Sequence, residues 1–132
     1  MPEGTAYDLA LYRLEKASGC IGDARLLLEN GSFASAANRA YYAIFYSARA
    51  LMALNDEDRK KHSGIIAYFQ RTYIKSGLIG SEYSDIIKSA FEIRQEADYE
   101  DFYILSKDDA VKQVENAEKF YKRIGDYIDE SH

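Results

Sequence analysis

The sequence is poor in residues that cross-link a small protein or bind a metal. It has one cysteine, Cys20, two histidines and no tryptophan. A single cysteine excludes an intrachain disulfide and gives no metal-ligand spacing, so a reducing cytoplasm is the expected location. We expect Cys20 to be a small apolar filler, because the sequence shows no cationic neighbour that would activate a thiol.

Several catalytic motifs are also missing. The two glycines of segment 77–80 lack the spacing and the Lys-Ser/Thr pair of a phosphate-binding loop. Neither His62 nor His132 follows a glutamate at the spacing of a di-iron bundle. His62 is the only histidine away from the terminus, which gives little basis for a hydrolase triad. We therefore expect no metal and no cofactor.

The sequence lacks an excess of positive charge, because 22 Asp and Glu outnumber 17 Lys and Arg. The net charge of -5 argues against a broad electrostatic attraction to nucleic acid, so any contact with phosphate must come from a local cluster of Arg and Lys. The first eight residues, MPEGTAYD, lack the basic and then apolar order of a signal peptide, and we expect no export.

What the chain does have is a long apolar stretch, Ala36–Leu54, without Gly or Pro. Its polar exceptions are two arginines, Asn38 and Ser47. As a helix it would be ~28 Å long, close to the thickness of a bilayer core. The arginines and the amphipathic segments on both sides argue against insertion. We interpret the stretch as the central helix of a soluble bundle, away from any membrane.

Two stripes of residues run along this central helix. Arg39, Tyr42, Tyr46 and Arg49 follow each other at steps of three and four, which places cations beside phenols on one side. A second stripe faces the core and contains Ala37, Tyr41, Ile44, Ala48 and Leu51. The first stripe could surface between neighbouring helices with its arginines paired to acids, or its Arg39 could contribute to a binding site.

The remaining apolar residues recur at helical spacing, in the first helix at Tyr7, Leu11, Leu14, Ile21 and Leu28, and nothing alternates as a strand would. Capping residues mark most of the helix ends. The predicted helices besides the central one run from Thr5 to Asn30, from His62 or Ser63 to Lys75, from Ser81 to about Tyr99, and from Ser106 to near the C-terminus. We predict an all-α fold, an antiparallel four-to-five-helix up-and-down bundle, as a single domain over residues 1–132. The twelve tyrosines favour interfaces and cleft walls.

The segment 93–103 is the best place for chemistry. Arg94 and Asp98 are four residues apart on one helical face, and Tyr99 follows at once. They could form a simple ion pair worth about 0.2–0.5 kcal/mol on an exposed helix. A cation and a phenol at a helix end could equally hold a phosphate.

Three segments in this order resemble the HEPN domain, specifically its short single-domain prokaryotic members. They are ANRAYYAIFYSARALM (37–52), KKHSGIIAYF (60–69) and RQEADYEDF (94–102). The resemblance extends from about Ala6 to about Ile128. It implies a helical bundle that forms a homodimer. Many such proteins are RNA-cleaving toxins encoded beside a minimal nucleotidyltransferase that serves as antitoxin.

The usual signature of the family is an arginine, four to six residues, and a histidine. Arg94 matches the arginine, but Tyr99 stands where the histidine is expected, and Gln95 replaces the polar residue that usually follows. A phenol is a poor general base at neutral pH. Whether the protein is an enzyme is therefore open. His62 resembles the histidine that opens the third helix in this group, and it is a second catalytic candidate if the bundle brings it near Arg94.

The resemblance thus gives two groups of candidate residues. Arg94, Tyr99 and His62 are candidates for catalysis. The candidates for binding RNA or a nucleotide are Arg39, Tyr42, Gln95, Asp98 and Tyr103. In some paired HEPN toxins the partner nucleotidylates a tyrosine near the signature, and Tyr99 and Tyr103 are candidates for that modification, although the family's tyrosine spacing is not reproduced.

Three functions remain open at this point. The first is a dimer that cleaves RNA or binds RNA or a nucleotide in a cleft between subunits. The second is a non-catalytic interaction module whose tyrosine-rich surface docks a nucleotidyltransferase, as the missing histidine and the acidic residues around Arg94 suggest. The third is a structural bundle without a site, in which Arg94 contributes only a weak surface ion pair.

Overall fold

The computed structural model describes residues 5–57, 61–99 and 104–131, with the backbone alone at positions 98 and 99. Within these ranges the secondary structure is helical and contains no strand. The helices are α1 (Ala6–Glu29), α2 (Phe33–Leu54), α3 (His62–Phe69), α4 (Ser81–Tyr99) and α5 (Lys107–Glu130). The predicted all-α bundle of four to five helices is confirmed.

Helix α1 begins where its capping residues predict. The Thr5 hydroxyl accepts a hydrogen bond from the Asp8 amide at 3.1 Å, and the Asp8 carboxylate accepts one from the Thr5 amide at 3.2 Å. This capping box satisfies backbone donors that the first helical turn leaves open. The helix ends at Glu29, and Gly31 follows with φ 77°, a value that favours glycine.

Helix α2 is the centre of the bundle, as its apolar sequence predicts. It begins at Phe33, after Ser32, three residues before the apolar stretch Ala36–Leu54, and its inward stripe is buried throughout. Ala10, Ala17 and Ala24 lie at intervals of seven along α1 and are fully buried. Small side chains at these positions let the two helix backbones approach closely.

The order of contacts shows that α1 and α2 run antiparallel. The Arg13 side chain donates to the Arg49 carbonyl at 2.9 Å, whereas Arg39 lies against Cys20 at the other end of the pair. Helix α5 packs against both α2 and α1, and α4 packs against α2.

The third helix is less regular than its sequence suggests. Helix α3 ends at Phe69, and one π-helical turn, Gln70–Ile74, continues it before Gly77 turns the chain with φ 81°. Tyr73 at this turn is buried and stacks on Phe69 with ring centroids 6.1 Å apart.

Helix α5 starts at its predicted cap, because the Ser106 hydroxyl accepts from the Asp109 amide at 3.1 Å. Its apolar stripe faces the core, with Ala110, Ala117 and Ile124 fully buried. One core prediction is wrong: Leu11 on α1 remains 40% exposed. None of the helices in the described ranges is long and apolar enough to cross a membrane.

Candidate functional site

Arg94 lies on the face of α4 that packs against α2. Ile87 and Ala90 on this face are buried, and Arg94 follows Ala90 by one turn. An arginine therefore occupies a position that would otherwise take an apolar core residue. Its guanidinium carbon lies 5.1 Å from the ring centroid of Tyr41 and 4.8 Å from that of Tyr42. Two electron-rich ring faces thus stabilise the half-buried cation.

Tyr41 connects Arg94 to His62. The Tyr41 hydroxyl is hydrogen-bonded to Nδ1 of His62, and the two rings stack with centroids 5.3 Å apart. Burial raises the pKa of Tyr41, although the charge of Arg94 and its hydrogen bond to the phenol act in the opposite direction. The phenol therefore keeps its proton at neutral pH. It can accept from Arg94 and from Nδ1–H of His62 at the same time, and this tautomer leaves the lone pair of His62 Nε2 free.

His62 is held in a largely aromatic setting at the start of α3. Its ring centroid lies 4.6 Å from that of Phe45 and 6.4 Å from that of Phe91. Burial, followed by the positive charge of Arg94, lowers the pKa of His62 from its ordinary value of 6.5. At neutral pH the imidazole is therefore uncharged and can accept a proton.

A small cleft opens beside Arg94, with a volume of about 210 Å³. The first two turns of α2 form one wall and the end of α4 forms the other. The residues that line it are Ala34, Ser35, Ala37, Asn38, Ile93, Arg94, Ala97 and Leu105. The N-terminal cap of α2, Ser32, makes no side-chain hydrogen bond to the helix. The open amides and the dipole of this helix end add positive potential beside the guanidinium.

The chemistry of this cleft suits a phosphate group. A guanidinium offers a fork of donors that matches phosphate oxygens, and helix N-termini favour anions. The volume is below the ~300–1,000 Å³ of pockets that enclose a whole drug-sized ligand. It can take a phosphate and part of a sugar, while the rest of a nucleotide would extend out of the cleft.

The structure places the predicted site residues in different ways. Tyr42 contacts Arg94, and His62 is joined to Arg94 through Tyr41, but neither residue lines the cleft. Arg39 is outside the cleft, but its guanidinium carbon is 5.2 Å from the centroid of the Tyr42 ring that Arg94 also contacts. Gln95 is exposed and makes no hydrogen bond to the side chains that the structure describes. The side chains of Asp98 and Tyr99, and all of Tyr103, lie outside the described residues.

The residue that sequence reasoning missed is Tyr41. It lies on the inward stripe of α2, and we assigned it to packing alone. The available signal was the phenol itself, because a buried tyrosine hydroxyl usually has a hydrogen-bond partner. Cys20 also needs a correction: it is buried as predicted, but Nη2 of Arg39 lies 3.3 Å from its sulfur, so it does have a cationic neighbour.

Sequence comparisons place these residues in a known family. The HEPN domain pattern matches residues 10–127. A UPF0332 protein of Thermotoga maritima is 34% identical over 119 residues, which are 90% of this chain and 90% of that protein. A protein of Methanocaldococcus jannaschii, whose name describes it as a candidate toxin, is 35% identical and aligns with 84% of this chain and 82% of its own length.

A second candidate toxin of the same archaeon is 28% identical over 87% of this chain. The family pattern covers the whole bundle from the first half of α1 to the last turns of α5. This chain belongs to the HEPN domain family.

Proposed function

We propose that this protein is a toxin-type RNA-binding homodimer that cleaves RNA without a metal. The observation that carries the proposal is the connection of Arg94 to His62 through the single phenol of Tyr41. It supplies a cation for the phosphate and an uncharged imidazole for proton transfer. His62 would thus take the part of the signature histidine that position 99 lacks.

The proposed reaction is an internal attack on the RNA backbone. The neutral His62 imidazole accepts the proton of a ribose 2′-hydroxyl, and the resulting oxygen attacks the adjacent phosphorus. Arg94 stabilises the extra negative charge on the phosphate oxygens in the transition state. The bond to the 5′-oxygen breaks, that oxygen takes a proton from water, and the hydroxide that remains takes back the proton held by His62. The products are a 2′,3′-cyclic phosphate and a 5′-hydroxyl.

The dimer is part of this proposal because one chain offers a small site. The cleft of about 210 Å³ holds one phosphate, and one Arg94 provides the guanidinium. A second copy that places its own Arg94 in a shared groove would double the positive charge. It would also cover a longer RNA segment, as the family resemblance implies. Sedimentation of the purified chain at several concentrations measures this association directly.

The decisive experiment is an RNA cleavage assay with EDTA present throughout. Purified protein is incubated with single-stranded RNA, and the product ends are identified by mass spectrometry. We expect 2′,3′-cyclic phosphate ends from the wild type. The His62→Ala variant should lose at least about tenfold in cleavage rate, within the range that general acid–base catalysis supplies, and still bind RNA. The Arg94→Ala variant should lose both binding and cleavage.

A matched control is available on another face of the bundle. Arg25 on α1 forms an exposed ion pair with Glu118 on α5, and Arg25→Ala removes the same charge from a residue that does not line the cleft. The control should behave as wild type. Cleavage that survives in His62→Ala at the wild-type rate would contradict the role of His62. Equal RNA binding by wild type and Arg94→Ala would contradict the site itself.

A second candidate function is a non-catalytic module that docks a nucleotidyltransferase. It is favoured by Tyr99 at the signature position, by the exposed Gln95 and Glu96 beside Arg94, and by Tyr12, which is 55% exposed. Co-expression with a nucleotidyltransferase encoded beside the gene tests it. A complex that persists through size-exclusion chromatography, together with no RNA cleavage by the free chain, would favour this candidate over the ribonuclease.

A further inference from the structure

A continuous series of rings and cations leads away from Arg94 along α2 and onto α1. The guanidinium carbons of Arg94 and Arg39 lie 4.8 Å and 5.2 Å from the centroid of the Tyr42 ring. The ring of Tyr46 follows one turn later, with its centroid 6.4 Å from that of Tyr42. The pattern therefore continues beyond the cleft.

The series then crosses to the neighbouring helix. Nζ of Lys16 on α1 lies 5.5 Å from the ring centroid of Tyr46 and 5.4 Å from that of Tyr12. Tyr12 is 55% exposed, while Tyr42 and Tyr46 are half-buried. We call the five residues Arg39, Tyr42, Tyr46, Lys16 and Tyr12 the cation–aromatic strip.

The carboxylates near the strip come from α1 alone. Helix α2 contains no Asp or Glu, whereas α1 has Asp8 one turn before Tyr12, Glu15 beside Lys16, and Asp23, whose charge acts on Arg39. Within the described residues neither Arg39 nor Lys16 forms an ion pair, and Nε of Arg39 is buried without a hydrogen-bond partner. By contrast, Arg25, Lys119 and Lys122 each pair with a carboxylate.

Partly exposed rings next to Arg39 and Lys16, which form no ion pair within the described residues, fit the chemistry of a single-stranded nucleic acid. Every base has two flat faces that can stack on a tyrosine, and every linkage carries a phosphate that a lysine or arginine can neutralise. In a duplex the base faces are already stacked on each other and are not available to a protein side chain. An acidic or apolar peptide would not use both features of the strip.

We propose that the cation–aromatic strip is the path of an unpaired RNA strand that approaches Arg94. Bases stack on Tyr46 and Tyr12, Tyr42 holds Arg39 beside Arg94, and Arg39 and Lys16 hold phosphates. The proposal rests on the function proposed above, because Arg94 is taken as the end of the path. It adds a substrate preference, single-stranded over double-stranded RNA, and a requirement for several nucleotides outside the cleft.

The test compares short and long RNA on the full chain by fluorescence anisotropy. A trinucleotide reaches only the cleft, whereas a twelve-nucleotide strand can also follow the strip. We expect Tyr46→Leu and Lys16→Gln each to weaken binding of the long strand about tenfold, as loss of one base stack or one phosphate contact does. Neither variant should change binding of the trinucleotide. A duplex of the same length should bind more weakly than the single strand.

Two further variants separate stacking from packing. Tyr46→Phe keeps the ring and should retain wild-type affinity for the long strand. Lys16→Gln should also reduce the slope of log affinity against log salt by about one, which a change of packing alone does not produce. Tyr121→Leu and Lys122→Gln on α5 serve as matched controls outside the strip, and neither should alter RNA affinity.

The outcomes distinguish this proposal from the function on which it rests. If the trinucleotide binds through Arg94 but the long strand binds no tighter and ignores Tyr46→Leu, the strip is overturned and the function stands. If strip variants weaken the long strand while Arg94→Ala has no effect, the path stands and its assigned end is wrong. If no RNA binds at all, both are overturned.

A second copy of the chain is the competing occupant of this surface. Sedimentation of the same variants decides between the two. If Tyr46→Leu dissociates the dimer, and RNA affinity at equal dimer concentration equals that of wild type, the strip is a subunit interface and the proposed path is overturned.

Discussion

Two surfaces of α1 face different helices, one α2 and the other α5, and they differ in the sign of their charge. Lys16 belongs to the cation–aromatic strip beside α2, whereas Ser18, about 200° away around the helix, lines a groove beside α5. The cation–aromatic strip leads to the cleft at Arg94, which has a volume of about 210 Å³. The groove is larger, with a volume of about 540 Å³. Cavity size alone would point to the groove.

The charges of the lining residues favour the cleft at Arg94 instead. The α1–α5 groove has an apolar floor that includes Leu14 and Ile21, and its rim carries Glu118, Asp126 and Asp129 with one lysine, Lys122. A phosphate would meet net negative charge there. The smaller cleft offers Arg94 and the start of α2. In a chain with a net charge of -5, the location of cations without carboxylate partners is more informative about an anionic ligand than the larger of these two cavities.

The largest expected difference between the two surfaces concerns single arginines. Arg94→Ala should weaken RNA binding by about 100-fold, because truncating a partly buried charge that contacts an anion costs ~2–5 kcal/mol. Arg25→Ala, which removes an exposed arginine paired with Glu118, should stay within about twofold. Titrations of both variants against labelled RNA, at one salt concentration, provide the measurement. Equal losses in the two variants would remove the contrast between the surfaces.

The next effect concerns the hydroxyl of Tyr41, which connects Arg94 to His62. Tyr41→Phe keeps the ring beneath Arg94 but removes the hydroxyl that reaches His62. We expect cleavage to fall about tenfold in kcat, because an unanchored base loses orientation. RNA affinity should change by less than about threefold, because the cation–π contact of Arg94 remains. A rise in KM without a fall in kcat would instead assign Tyr41 to binding.

A smaller effect concerns acid stability. Because the pKa of His62 is lowered from 6.5 in the folded protein, the unfolded chain binds more protons below pH 6.5. The free energy of unfolding should therefore fall as the pH drops from 6.5 through the lowered pKa, and the contribution should be constant above 6.5. Denaturant titrations from pH 7.5 to 5 should show a shallower fall for His62→Phe than for wild type. Parallel curves would mean that His62 titrates normally in the folded state.

The smallest expected effect comes from the acidic groove. Asp126→Asn removes one negative charge from its rim and also ends an exposed pair with Lys122. RNA affinity should rise by less than about twofold, because solvent and salt screen charges that are more than a Debye length of ~8 Å from the ligand. The thermal midpoint should stay nearly unchanged, since exposed pairs contribute little. A large gain in affinity would indicate that RNA also runs through the groove.

Much of the scaffold could be predicted locally. The caps at Thr5 and Ser106 depend on a side chain and an amide three residues apart, so they form wherever the helix starts. The inward stripe of α2 follows from helical periodicity alone. The prediction failed for Leu11, because its exposure depends on how far α5 covers α1, and for the π-helical turn after Phe69, which a periodic pattern does not encode.

The candidate site was predictable only in part. Sequence pattern and family resemblance indicated Arg94, Tyr42 and His62 separately. They did not indicate that the hydroxyl of Tyr41 joins two of them, since this depends on α3 and α4 both packing against α2 at the height of one buried ring. The contact between Arg39 and Cys20 was missed for the same reason, because it joins residues of two different helices.

By itself the sequence determined the helices and the buried face of α2, because these depend on residue type and on spacing along one helix. It also determined the excess of acidic over basic residues, which depends on residue type alone. Only the tertiary structure decided which cations have carboxylate partners and which lie over rings. The same structure sets the ionisation of His62, because burial and the distance to Arg94 exist only once three helices meet. Residue type fixes which side chains can carry a charge, whereas the neighbours that shift their pKa values depend on the fold.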